Sequence, residues 1–146
     1  MPPSPILISP AHRAELLHAA RQVAQHAYAP YSGFRVGAAL LLEGGVIVAA
    51  GNVENASYGL SICAERAAVF AAVAQHGPKM RISAVAVTNL NDAPSPPCGA
   101  CRQVLSEFMP PNGLILFPFD GTPPATIETR TLAELFPFGF DLTHAG

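Results

Sequence analysis

The chain has 146 residues, half of them hydrophobic and 12% charged, with a formal charge of −2. That length suits one domain, 1–146, able to bury about 70% of its unfolded surface. Eight Lys and Arg, scattered rather than clustered, offer no basic field to a phosphate backbone and argue against a nucleic-acid partner. So little charge leaves apolar surface uncovered on a lone monomer, and contact with other subunits is expected. Met1-Pro2-Pro3-Ser4-Pro5 lacks a basic leader and an apolar core, so no secretion signal is expected. The apolar run 36–50 is broken by Glu43-Gly44-Gly45 and is too short to span a membrane.

Residues 1–10, with four prolines, read as a lead-in. Ser9 or Pro10 opens a helix in which Leu16, Leu17, Ala20, Val23, Ala24 and Ala27 form one apolar stripe. Pro30 is expected to end it, because a residue before proline avoids the α region. His12, His18 and His26 read as surface residues. Gly37 to Leu42 and Val46 to Ala50 are β-rich runs joined by Glu43-Gly44-Gly45, a hairpin whose glycines supply positive φ. Asn52 to Tyr58 reads as a loop. A helix begins at Cys63 or Ala64, packs through Ala67, Ala68, Val69, Ala71, Ala72 and Val73, and stops at Gly77-Pro78.

Ser83 to Thr88 reads as a buried strand, Asn89 to Pro97 as a polar, proline-rich loop, and Cys98 to Phe108 as a helix. Leu114 to Phe119 and Ala125 to Thr129 read as strands around Asp120-Gly121-Thr122-Pro123-Pro124. Thr131 is placed to cap a last short helix with Glu134 at its third position. The pattern predicts an α/β fold, a three-layer α/β/α sandwich with a mixed five-stranded sheet. Two successive helical crossovers favour parallel strands in its second half.

The chain has three cysteines, Cys63, Cys98 and Cys101. Internal disulfides cannot consume an odd number, and a Cys-x-x-Cys with one distant partner suits three thiolates on one zinc. Cys98 and Cys101 share one side of a helix start. Cys63 stands at another, so the metal is expected where two helix N-termini converge and their free N–H groups favour thiolate. All three at helix starts argues against ordinary core cysteines. With three protein ligands zinc keeps a position for water and lowers its pKa. Glu65 can shuttle protons there, provided that Cys63 lies at the edge of the first turn. Three thiolates leave the site at net −1, which a donor such as Arg66 can offset.

Cys63-Ala64-Glu65-Arg66 and Pro97-Cys98-Gly99-Ala100-Cys101-Arg102-Gln103-Val104 resemble the small, homotetrameric, zinc-dependent cytidine deaminases. Tyr28 to Leu40 and Asn52-Val53-Glu54-Asn55-Ala56-Ser57-Tyr58 match the same pattern in the same order, and the likeness covers roughly 16–140. It implies a cytidine deaminase-like fold with one Zn²⁺ per chain on Cys63, Cys98 and Cys101. It also implies attack of zinc-bound hydroxide on C4 of cytidine or 2′-deoxycytidine. Glu65 would pass protons to N3 and to the departing amine, giving uridine or 2′-deoxyuridine and ammonia in pyrimidine salvage.

By the same resemblance Arg66 steadies the thiolates, and Asn52, Val53 and Glu54 bind the nucleoside, with Asn52 and Glu54 as the sugar-binding pair. Phe34 packs on the pyrimidine, and Ala64 offers a backbone contact to the base carbonyl. Ala56, Tyr58 and Phe140 complete a neighbouring subunit's pocket, although Phe136 and Phe138 lie near enough in sequence to compete with Phe140 as the stacking ring. Thiolates on zinc suit a reducing cytoplasm. The rivals are a deaminase of a cytosine-containing antibiotic of the blasticidin type, a closed structural zinc module with a histidine such as His76 as fourth ligand, and a redox Cys-x-x-Cys protein.

Overall fold

The computed structural model describes residues 3–120 and 125–142. Helix α1 (Pro10–Ala24) is capped by Ser9, whose side chain accepts from the His12 N–H at 3.0 Å. It buries Leu16, Ala20 and Ala24 and leaves His12 and His18 exposed, as His26 is in the turn that follows. It ends well before Pro30. The reason lies across the chain: the Tyr28 N–H donates to the Asn52 carbonyl at 2.9 Å, and the Tyr28 carbonyl accepts from the Glu54 N–H at 2.8 Å. This pairing draws the backbone out of the helix, so Ala27 packs on Gly51 instead of extending the stripe.

Strands β1 (Val36–Leu42) and β2 (Ile47–Gly51) form the expected hairpin, with Gly44 and Gly45 both at φ 97°. A single 3₁₀ turn (Tyr58–Leu60) precedes α2 (Ala64–His76). Then follow β3 (Ile82–Asn89), α3 (Gly99–Ser106), β4 (Leu114–Pro118), β5 (Ile127–Thr131) and α4 (Leu132–Leu135). Helix α3 is shorter at both ends than expected: Cys98 serves as its N-cap and Glu107 as its C-cap. Strand β5 begins later than expected, and 121–124 of the turn before it lie outside the described residues. Thr131 and Glu134 form a complete capping box on α4.

The sheet order is β2-β1-β3-β4-β5. β3 and β4 are parallel, while β1–β2, β1–β3 and β4–β5 are antiparallel. The expectation of a parallel second half therefore holds for one pair alone. The α2 crossover does join strands that run the same way, but β1 lies between them, and β5 returns antiparallel after a short connection.

Alternation along the central strands builds the three layers. Ala38, Leu40, Val85, Val87, Ile115 and Phe117 face Ala64, Ala68, Val69, Ala72 and Leu105 of α2 and α3. Ala39, Leu41, Ala84, Ala86 and Leu116 face Leu16 and Ala20 of α1. Gly37, Ala39, Ala84 and Ala86 keep part of this face small, so the helix approaches closely there. At Gly37 a Cβ would stand 1.9 Å from the Ala20 carbonyl oxygen and 2.8 Å from the Ala24 nitrogen. Gly37→Ala must push α1 off the sheet. It is expected to lose about 3 kcal/mol, read as a lower urea midpoint at unchanged slope, whereas an unchanged midpoint would show that the helix yields freely.

Candidate active site

The site lies outside the carboxyl ends of β2 and β3, where the loops leading into α2 and α3 meet beside the start of β1. Cys63 and Cys98 are the N-cap residues of the two helices, and neither side chain caps its own helix. The loop carrying Cys98 is fixed by buried Asn89. Its Nδ2 donates to the Ala93 carbonyl (2.7 Å) and the Ser95 hydroxyl (3.1 Å), and its Oδ1 accepts from the N–H groups of Asn91 (2.9 Å) and Ala93 (3.1 Å). Arg102 completes the anchorage, donating from Nε to the Pro97 carbonyl at 2.8 Å and from Nη1 to the Leu135 carbonyl at 2.7 Å.

The ligand atoms of Cys63, Cys98 and Cys101 all lie within 4.8 Å of one another. Cys63 Sγ and Cys98 Sγ are 3.8 Å apart, and tetrahedral zinc with Zn–S bonds of about 2.3 Å places its sulfurs about 3.8 Å apart. The three residues therefore fit the metal. His76, offered as a fourth ligand by the structural-module reading, sits at the far end of α2, roughly 20 Å along the helix axis from Cys63. Among the described residues no histidine or carboxylate joins the three sulfurs.

Arg66 Nη2 donates to Cys63 Sγ at 3.5 Å, while its buried Nε has no partner among the described residues. In the metal-free chain the Cys101 thiol donates to Cys63, which is lowered to about 5, with Arg66 adding to the effect. Cys101 is raised for the same reason, since it keeps the proton. Arg66 is itself raised, first by its hydrogen bond to Cys63.

Glu65 is 4% exposed, and it lines the same pocket as Cys63 and Cys98. Cys63 as N-cap puts Glu65 in the first turn, which is how two residues so close in sequence reach one cavity. Burial is the main cause that raises its pKa to about 7; the charge of Cys63 pushes the same way, against an opposing backbone hydrogen bond.

The pocket holds about 480 Å³. Phe34, Asn52, Glu54, Tyr58 and Ala64 all line it. Asn52 is already engaged: its Oδ1 accepts from the Val36 N–H at 2.8 Å and its Nδ2 donates to the Phe34 carbonyl at 2.9 Å. Val53 points away, as strand alternation requires, and is half-exposed. Ala56 and Phe140 are exposed and lie outside this pocket, with the Phe140 carbonyl held by Gln103 Nε2 at 3.1 Å. Phe138 is fully exposed at φ 55°.

Sequence reasoning assigned no role to Ser32, Ser61, Ser95 or Pro96, which also line the cavity. Ser95 and Pro96 directly precede Pro97-Cys98, so proximity to a ligand was the available signal. Ser32 lies within the Tyr28 to Leu40 block that resembles the family, and that was the signal available for it.

The Glu65 shift has a sign that metal removal exposes. Its folded pKa lies above its unfolded value of 4.5, so burial costs nothing while both states are protonated and the full amount once pH passes about 7. In chelator and reductant, the stability of Glu65→Gln relative to the unsubstituted chain should rise by about 3 kcal/mol between pH 4.5 and 7. A difference flat across that window would mean that Glu65 is hydrated.

Comparison with known proteins agrees with this geometry. The family described as cytidine and deoxycytidylate deaminase zinc-binding region matches residues 10–116. A cytidine deaminase of Halalkalibacterium halodurans is 42% identical over 128 residues, 88% of this chain and 93% of its own. The crystal structure of cytidine deaminase from Burkholderia pseudomallei superposes with a TM-score of 0.76 at 39% identity, covering 87% of this chain and 98% of that one. Cytidine deaminase from Mycobacterium tuberculosis gives a TM-score of 0.74 at 40% identity, covering 89% and 98% respectively. Three clustered sulfurs, a buried glutamate on the same cavity and these matches place the chain in the zinc-dependent cytidine and deoxycytidylate deaminase family.

Proposed function

We propose that this chain hydrolyses cytidine and 2′-deoxycytidine to uridine and 2′-deoxyuridine, taking up one water and releasing ammonia. The observation that carries the reading is one cavity lined at once by metal-ligand sulfurs and by a buried carboxylate. Cys63, Cys98 and Cys101 would hold a zinc ion, which when bound would supply the Lewis acidity that makes a water reactive near neutral pH. Glu65 then does the proton work. It moves a proton to N3 of the pyrimidine and next to the departing amine, and burial, which disfavours its charged form, suits a group that must both take and give. Arg66 offsets the charge of the thiolates from outside the cavity.

Phe34 offers an aromatic face to the base and Ala64 a backbone contact, while Glu54 presents a carboxylate to the sugar. Glu54 is held below the usual carboxylate range, first by its hydrogen bond with the Ser32 side chain, so it accepts and does not donate. Among the described residues the cavity lining includes no Lys or Arg. That favours nucleosides over nucleotides and leaves a polynucleotide without an electrostatic hold.

The chain is proposed to work as a homotetramer with shared sites. Tyr58 (78% exposed), Leu60 (66%) and Phe140 (65%) present apolar surface around or beyond the pocket. In this arrangement Ala56, Tyr58 and Phe140 complete a neighbour's pocket, and the Asn52-Val53-Glu54 segment closes the sugar side. Among the described residues no helix is long and apolar enough to cross a membrane. A cytoplasmic role in pyrimidine salvage accords with thiolate ligands.

Zinc-loaded protein mixed with cytidine should show the fall in absorbance that accompanies uridine formation. Glu65→Gln should lower kcat by about 10³-fold or more while retaining about one zinc per chain. Retention of most of the turnover would remove Glu65 from the mechanism.

A further inference from the structure

The loop between α1 and β1 has no regular pairing of its own over 29–35, yet it supplies Tyr31, Ser32 and Phe34 to the cavity. Three of its N–H groups, those of Tyr31, Ser32 and Phe34, go to the side chains of Glu54 and Ser32. Those of Tyr31 and Ser32 donate to Glu54 Oε1 at 3.0 and 3.1 Å. The Ser32 hydroxyl donates to Glu54 Oε2, and its oxygen accepts from the Phe34 N–H at 3.0 Å. On the other side of Phe34, its carbonyl takes the Asn52 amide at 2.9 Å.

We propose that Ser32 is a positioning residue for the nucleoside pocket, joining the Glu54 carboxylate to the Phe34 backbone so that the acceptor and the aromatic face keep one fixed relation. A hydroxyl has one proton to give and lone pairs to receive, and here it does both at once. The backbone N–H groups of Tyr31 and Ser32 fill Oε1. Oε2 takes the Ser32 hydroxyl and keeps acceptor capacity on the cavity side, since Glu54 lines the pocket. Without the hydroxyl the Phe34 N–H loses its partner and Glu54 Oε2 loses its donor, leaving the carboxylate held through Oε1 alone. Proton transfer is untouched, because Glu65 is held separately in the first turn of α2. The loss therefore falls on binding.

The inference rests on the nucleoside reading of the cavity, so its test separates the two. Zinc-loaded protein, Ser32→Ala and Ser32→Thr are compared in steady-state cytidine turnover and in calorimetric binding of uridine. Ser32→Ala is expected to raise the KM for cytidine and the Kd for uridine about tenfold, with kcat changed by less than about threefold and zinc retained. Ser32→Thr, which keeps the hydroxyl, is expected to recover most of that affinity. Unchanged KM and Kd in Ser32→Ala would overturn the assignment, as would a loss confined to kcat or zinc content, or equal damage in Ser32→Thr. An unsubstituted protein that binds uridine but leaves cytidine intact would overturn the deaminase reading alone, because the ratio of uridine affinities still reports on Ser32.

Discussion

Three sulfur atoms within 4.8 Å of one another, delivered by the starts of two helices, are the constraint on which the rest of this structure depends. Neither helix brings them together alone. Helix α2 follows β2 and α3 follows β3, and the two strands flank β1, so both helices begin at the same edge of the sheet. The layers hold that convergence. Small residues in α2 and along the central strands let the helix seat on the sheet, while Asn89 and Arg102 tie down the loop that brings Cys98. A site held this way depends on secondary structure more than on loop entropy, which suits a reaction that needs fixed geometry.

Charge sets the second constraint. Three thiolates around a divalent cation leave an excess negative charge that opposes forming another anion. Arg66 Nη2 against Cys63, together with two helix N-termini, supplies positive potential without entering the cavity. Burial disfavours the charged form of Glu65 and raises its pKa above the usual carboxylate range, the direction a proton shuttle needs. Each group has its property because of where the fold puts it.

Much of the site was legible in the sequence because its chemistry is local. Cysteines at helix starts, a glutamate two residues along and an arginine after it form a short-range pattern that helix geometry turns into proximity. The hairpin, the capping box and the alternating strands were legible for the same reason. Features decided by distant partners were not. The end of α1 is set by Tyr28 pairing with Asn52 and Glu54, and strand orientation depends on β1 lying between β2 and β3. The engagement of the Asn52 amide with the Phe34 carbonyl and the Val36 N–H is another long-range pairing that no local pattern announces. Ser32 escaped notice because its partner, Glu54, is 22 residues away.

The most direct test looks at the metal itself. Zinc-edge X-ray absorption on the purified protein should show three sulfur neighbours at about 2.3 Å and one oxygen neighbour at about 2.0 Å, the signature of a site held by cysteine with a position left for solvent. A fourth protein ligand, or fewer than three sulfurs, would contradict it.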